Sequence, residues 1–172
     1  MSHWASVTRA LRATGLLRFA DAARFAVQKR RLRPSNAAFV AANPDFALPP
    51  ADIAFDALGH VDWAGYLPTG EQQAAAIAEV VAAAVPEGPI AVLEWGCGPG
   101  RLIRHMPQLL AGRDLRLVGS DYNPRSIAWT RANLPGIEFI ENGLNPPLDV
   151  PDATFDAVYC ISVFTHLSED VQ

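Results

Sequence analysis

The chain has 172 residues, half of them hydrophobic and 19% charged, with a net charge of −4. That is enough for one domain with its own core and too little for two large ones. Cys97 and Cys160 stand far apart, and His3, His60, His105 and His166 are scattered, so neither a disulfide framework nor a metal site is expected.

No apolar run reaches the roughly 18 residues of a membrane span. Arg9, Arg12 and Arg18 interrupt every candidate secretory core, and a cytoplasmic location is the expectation.

Residues 1–33 are basic and helix-prone, holding eight of the fourteen basic residues and one acid, Asp21. Leu16, Phe19, Ala20, Ala23, Ala26 and Val27 recur at spacings of three and four and predict the apolar face of a helix, a pattern that Leu17 and Phe25 break. Three uses fit such a segment: a solvated helix face, weak attachment to an anionic membrane surface, or nucleic-acid binding. The acidity of the remaining chain argues against the last.

Pro34, Pro44, Pro49, Pro50 and Pro68 then punctuate residues 34–68, interleaved with Phe39, Phe46, Leu48, Ile53, Phe55, Leu58, Trp63 and Tyr66. This reads as an extended arm that packs on the main domain or helps to shape a substrate pocket. With the basic segment it forms the expected first unit, 1–68. The second unit is 69–172.

From Thr69 the pattern becomes regular. Thr69-x-x-Gln72 is a capping-box signature that predicts a helix to about Val85, ended by Pro86. A strand follows at 90–95, then a helix over 101–111 in which Pro107 predicts a kink or an early end. A second strand is expected at 115–120, and Asn123-Pro124 caps a helix to about Leu134. Strands at about 137–140 and 155–161 complete the series. Strands alternating with helices predict an α/β, Rossmann-like, doubly wound parallel sheet of about four strands.

Ligands in such sheets bind beyond the carboxyl ends of the strands, at the point where strand order reverses. Three alternating glycines, Gly96, Gly98 and Gly100, follow the first strand there, with Glu94 just before them. Asp121, at the end of the second strand, is placed to accept both hydroxyls of a ribose. A dinucleotide fingerprint, G-x-G-x-x-G, would put its third glycine where Arg101 stands, so a nicotinamide-dependent oxidoreductase is the weaker alternative. Glu94 suits a ligand that carries a cationic amine.

Val92-Leu93-Glu94-Trp95-Gly96-Cys97-Gly98-Pro99-Gly100 resembles the first motif of class I S-adenosylmethionine-dependent methyltransferases, E/D-x-G-x-G-x-G. Val118-Gly119-Ser120-Asp121-Tyr122-Asn123-Pro124 is similar to their second motif, and Phe155-Asp156-Ala157-Val158-Tyr159-Cys160-Ile161-Ser162 to their strand-four motif. The resemblance covers about 69–172. It implies S-adenosylmethionine as cofactor, with Glu94 near the methionine amine and Gly96, Cys97, Gly98 and Gly100 giving backbone against the ligand. Asp121 would take the ribose hydroxyls and Tyr122 would lie beside the adenine. Asn142 and Gly143 would close over the adenine ring where many members carry Gly-Asp, and Ser162 would stand where cofactor and substrate meet.

Ser162-Val163-Phe164-Thr165-His166-Leu167 is similar to a segment of bacterial methyltransferases that modify glycans and natural products. His166 is accordingly a candidate general base or a helix-capping residue. A small-molecule or glycan hydroxyl or amine is the expected acceptor. The family fold has more strands than this sequence places, so the resemblance implies an N-terminal portion of a longer protein, with strand 155–161 left as an apolar edge. A non-catalytic cofactor-binding module is the rival reading.

Overall fold

The computed structural model describes residues 16–164. Strand β1, Ile90–Trp95, is an apolar run with Val92 and Leu93 buried, as expected of a strand covered on both faces. It pairs in parallel with β2, Leu115–Asp121, which pairs in parallel with β3, Glu138–Glu141. Strand β4, Ala157–Tyr159, lies along the other side of β1, so the order is β3-β2-β1-β4. The chain therefore builds outward from β1 to β3 and then returns to the far side of β1. The reversal point lies between β1 and β4, at the end of the strand that leads into the glycines.

The expected strands and the parallel α/β sheet are present. Asp156 fixes the last strand to the sheet: its carboxylate accepts from the Ala91 N–H at 2.8 Å and its own N–H donates to the Ala91 carbonyl at 2.9 Å. Strand β4 is shorter than the expected 155–161, and Val158 is 61% exposed on it. No helix links β3 to β4, because Pro146, Pro147 and Pro151 keep that stretch irregular.

The helices depart further from expectation. Residues 34–68 are not an extended arm. Helix α1, Leu16–Arg31, is followed by α2, Arg33–Ala42, α3, Ala51–Leu58, and α4, Trp63–Ala84. The prolines start helices rather than prevent them: Pro34 sits in the first turn of α2 and Pro50 is the residue before α3. Helix α4 runs through Pro68 and across the boundary expected at 68/69. Thr69 is thus no cap, and its hydroxyl donates back to the Gly65 carbonyl. The start of α4 is capped from a distance, with the Trp63 N–H donating to Asn36 Oδ1 at 3.1 Å while Asn36 Nδ2 donates to the Val61 carbonyl at 2.7 Å.

The helix expected over 101–111 is a 3-10 turn, Ile103–His105, followed by a single helical turn, α5, Met106–Leu109. Pro107 occupies the first turn of α5, where its missing N–H costs nothing, instead of kinking a longer helix. Helix α6, Pro124–Asn133, begins as expected, with Asn123 Oδ1 accepting from the Arg125 N–H at 3.0 Å.

Two apolar clusters result. Val81, Val92, Ile103, Met106, Leu117, Ile127 and Phe139 join the sheet to its helices. Ala54, Trp63 and Tyr66, flanked by Phe39, Phe46 and Leu48, form a second cluster within the helical segment.

Arg104 spans the gap between them. Its guanidinium lies 4.6 Å from the Phe46 ring centre, 5.8 Å from Tyr66 and 5.7 Å from Trp129, and it donates to the carbonyls of Ala47 and Gly100.

Candidate functional site

The turn after β1 is built by backbone. The N–H groups of Gly96 and Cys97 both donate to the Ser120 carbonyl at 2.8 Å, which hooks the turn to β2. Gly96, Gly98 and Gly100 take φ of +75°, +51° and +70°, a left-handed region that costs other residues about 1–2 kcal/mol each. Space forbids a side chain as well. A Cβ on Gly96 would collide with Val163, and one on Gly98 would stand 3.2 Å from the Ala57 Cβ. The glycine at 100 serves packing instead. Its missing Cβ makes room for Leu134, and it does not face the cavities described next.

Two cavities, of about 810 and 300 Å³, meet over this turn. Both are lined by Gly96, Gly98, Ser162 and, from α3, Asp56 and Ala57. The larger extends past Glu94 and Arg101 to Phe25 of α1, while the smaller extends past Asp121 and Tyr122 to Leu144. Together they offer the size and the few convergent polar groups of a small-molecule site.

The carboxylates at the two ends are set up differently. Asp121 Oδ2 accepts from the Gly98 N–H and Oδ1 from the Asn123 N–H, each at 2.8 Å. Each oxygen retains a lone pair for a ligand hydroxyl. Burial moves this carboxyl upward from the usual range, and the two N–H donors oppose that shift. Glu94 is 3% exposed; its carboxylate accepts from the Tyr159 hydroxyl at 3.0 Å, and the Ile103 N–H also favours its ionised form. Burial pushes its carboxyl up to about 8. Among the described residues no Lys or Arg pairs with it. A buried acid without a cation, on the wall of a cavity, is suited to a ligand that brings the cation.

Other expected residues are placed less simply. Only the backbone of Cys97 can serve a ligand, because its thiol is buried within the sheet cluster, where burial pushes its pKa upward. Tyr122 is 54% exposed at the mouth of the smaller cavity. Asn142 and Gly143 do not line either cavity; Asn142 Nδ2 donates to the Gly143 carbonyl and its buried Oδ1 has no partner. Ser162 holds a φ of +62° at the edge of both cavities. His166 lies outside the described residues.

The helical segment supplies residues that sequence reasoning had not singled out. Helix α3 covers the turn with Asp56 and Ala57, and is tied to the start of α6 by Arg125 donating to Asp52 at 2.6 Å and Asn123 Nδ2 donating to Asp56 at 3.0 Å.

Helix α1 docks on α3 through Phe25, whose ring meets Phe55 edge-on at 5.2 Å, and through Arg24 and Gln28, which donate to the Gly59 carbonyl. The expected apolar face points elsewhere, with Phe19 76% and Val27 66% exposed. Phe25, which broke the pattern, makes the contact, because α3 offers an aromatic ring beside an open carbonyl rather than a uniform apolar groove. No described helix is long and apolar enough to cross a membrane.

Residues 92–172 match the family model of a methyltransferase domain. Over 81 residues the chain is 36% identical to a Mycolicibacterium smegmatis protein named as a probable S-adenosylmethionine-dependent methyltransferase, covering 47% of this chain and 30% of that protein. Among solved structures, a SAM-bound amino pentose methyltransferase from Micromonospora echinaspora, involved in calicheamicin biosynthesis, aligns with TM-score 0.46 and 24% identity over 67% of this chain and 43% of its own. DesVI of Streptomyces venezuelae aligns with TM-score 0.46 and 20% identity, over 67% and 44%. The chain thus spans less than half the length of these relatives.

Proposed function

We propose that the chain carries the cofactor site of a cytoplasmic S-adenosylmethionine-dependent methyltransferase that modifies a hydroxyl or amine of a small molecule or glycan, a reading supported by the match of residues 92–172 to a methyltransferase domain model. One observation carries this reading. The left-handed glycine turn stands between a buried Glu94, with no cationic partner among the described residues, and a doubly anchored Asp121, beneath two cavities that share lining residues. In this reading the parallel sheet and the helices packed on it form the cofactor-binding part, and α1 to α3 are its cover.

The residues fit the cofactor's parts. Glu94 would hold the methionine amine, the N–H and carbonyl groups of the turn would lie along the chain between amine and ribose, and Asp121 would accept from the ribose hydroxyls. Tyr122 and Leu144, exposed at the far end, would flank the base. Gly96 and Gly98 line both cavities and would present backbone, with no side chain between it and the ligand.

When bound, S-adenosylmethionine supplies a methyl group activated by a sulfonium. The chain's own task is to fix that group beside the acceptor and keep water away, which accounts for much of the rate in transfers between oriented partners. Helices α1 and α3 provide the cover. Phe25 and Phe55 wall the larger cavity, where Glu94 lies, and make that side the expected place for the acceptor. His166 is the candidate for taking the acceptor's proton. The similarity of Ser162-Val163-Phe164-Thr165-His166-Leu167 to glycan- and natural-product-modifying enzymes supports that class of acceptor.

Calorimetric titration with S-adenosylhomocysteine tests the reading directly. Saturable one-site binding is expected, with no quenching of nicotinamide fluorescence when the dinucleotide is titrated instead. Binding of the dinucleotide alone would overturn it.

A further inference from the structure

The strand-four motif contains a residue that neither the glycine turn nor the ribose acid accounts for. Tyr159 stands directly opposite Glu94 in the β1–β4 register, and its hydroxyl donates to Glu94 Oε2 at 3.0 Å. Neighbours in a parallel register project to the same face of the sheet, so the contact follows from the pairing itself. Asp156 locks that register from three residues upstream, through both of its bonds to Ala91. The hydroxyl is therefore held by strand pairing rather than by a mobile loop.

Building on the proposed function, we infer that Tyr159 is a positioning residue. Its hydroxyl aims the buried Glu94 carboxylate at the cavity and stabilises its ionised form, so that the chain grips the ammonium of an amino-acid-bearing ligand.

Two hydrogen-bond donors favour the ionised form, the Tyr159 hydroxyl and the Ile103 N–H, and the hydroxyl has the larger effect. The charged or titratable groups around Glu94 are Arg101 after the turn, Cys97 within it, Asp121 on β2, Tyr66 on α4 and Tyr159 on β4. Arg101 is engaged elsewhere, donating to Gln73 Oε1 at 2.6 Å and toward Thr69, so its charge acts on Glu94 only from a distance. Asp121 opposes ionisation, and Tyr66 and Cys97 are themselves buried and held protonated.

Of the forces favouring the carboxylate, the Tyr159 hydrogen bond is the largest. Even with it the acid stays up at about 8, so at neutral pH Glu94 gives up its proton as the ammonium arrives. Ligand binding and proton release are then one event, and the tyrosine sets the pH at which they occur.

The test is S-adenosylhomocysteine titrated into the 172-residue chain by calorimetry from pH 6 to 9, for wild type, Tyr159→Phe and Glu94→Gln. Wild-type affinity should rise with pH and level off near 8, with a proton released at neutral pH, as read from buffers of different ionisation heat. Tyr159→Phe should bind about tenfold more weakly at pH 7, as expected for loss of a hydrogen bond to a charged group, and should level off at higher pH. Glu94→Gln should release no proton and show only the ligand's own titration.

Equal affinities and equal pH profiles for wild type and Tyr159→Phe overturn the inference and leave the proposed function standing. Absence of binding to wild type instead removes the proposed function on which it rests. Should Tyr159→Phe fail to fold, proton release that persists in Glu94→Gln overturns the inference by itself.

Discussion

On the sheet side of the cavity, backbone is held by backbone: Gly96 and Cys97 donate to Ser120, Gly98 and Asn123 donate to Asp121, and the turn has no room for a side chain at Gly96. On the helical side the wall is held by side chains at or near the surface, chiefly Arg125 to Asp52, Asn123 to Asp56, and Phe25 against Phe55. The first kind of wall has one geometry and fails when altered. The second can lose a contact and re-form, which suits a cover that must let ligand pass. The difference teaches that the rigid half sets what is bound, and the softer half sets how it enters and leaves.

The largest expected effect comes from breaking the rigid side. Gly98→Val forces a branched residue to φ +51° with Ala57 already 3.2 Å from the new Cβ, and should abolish measurable binding of S-adenosylhomocysteine. Asp121→Ala removes the acceptor of two backbone N–H groups as well as the ribose partner. A loss of affinity of about a hundredfold or more is expected, since each hydrogen bond from a ribose hydroxyl to a charged acceptor contributes about 1.5–3 kcal/mol. Unchanged affinity in both variants would sink the cofactor assignment.

Glu94→Gln sharpens the comparison without ligand. Folded Glu94, raised to about 8, keeps a proton that the unfolded chain loses near 4.5. Its contribution to stability is therefore complete below the lower value and is lost as pH rises to about 8. Thermal melts should show the wild type falling relative to Glu94→Gln across that window and running parallel above it. Parallel melts throughout would contradict the protonated buried acid.

Arg104 belongs to both sides, bonding Gly100 on one and Ala47 on the other. Arg104→Met keeps most of the volume and removes those bonds, and should cost about 2–3 kcal/mol in chemical denaturation. Asp52→Ala breaks only an exposed ion pair, with the two side chains 66% and 48% accessible. It should change affinity by no more than about threefold. A loss as large as that from Asp121→Ala would show that the helical cover is as rigid as the sheet.

Much of the rigid half was legible in the sequence because its signals are local. Apolar runs bounded by turns gave the strands, Asn123-Pro124 gave the start of α6, and three alternating glycines announced backbone exposed to a ligand. The helical half was misread because proline is ambiguous in sequence. The same residue that ends a helix opens one, and Pro34, Pro50 and Pro107 stand at helix starts, while Pro68 is carried within α4.

By itself the sequence determined the parallel strands, the glycine turn, and the acids at the ends of β1 and β2. These follow from φ preferences, caps and apolar runs that each residue carries with it. Tertiary structure alone decided that Gly100 packs against Leu134, that α1 docks through Phe25 rather than its apolar stripe, that α3 lies over the turn, and that Tyr159 faces Glu94. Each of these pairings joins residues distant in the chain. The strand order and the surface each helix meets select such partners, and no local pattern encodes that choice.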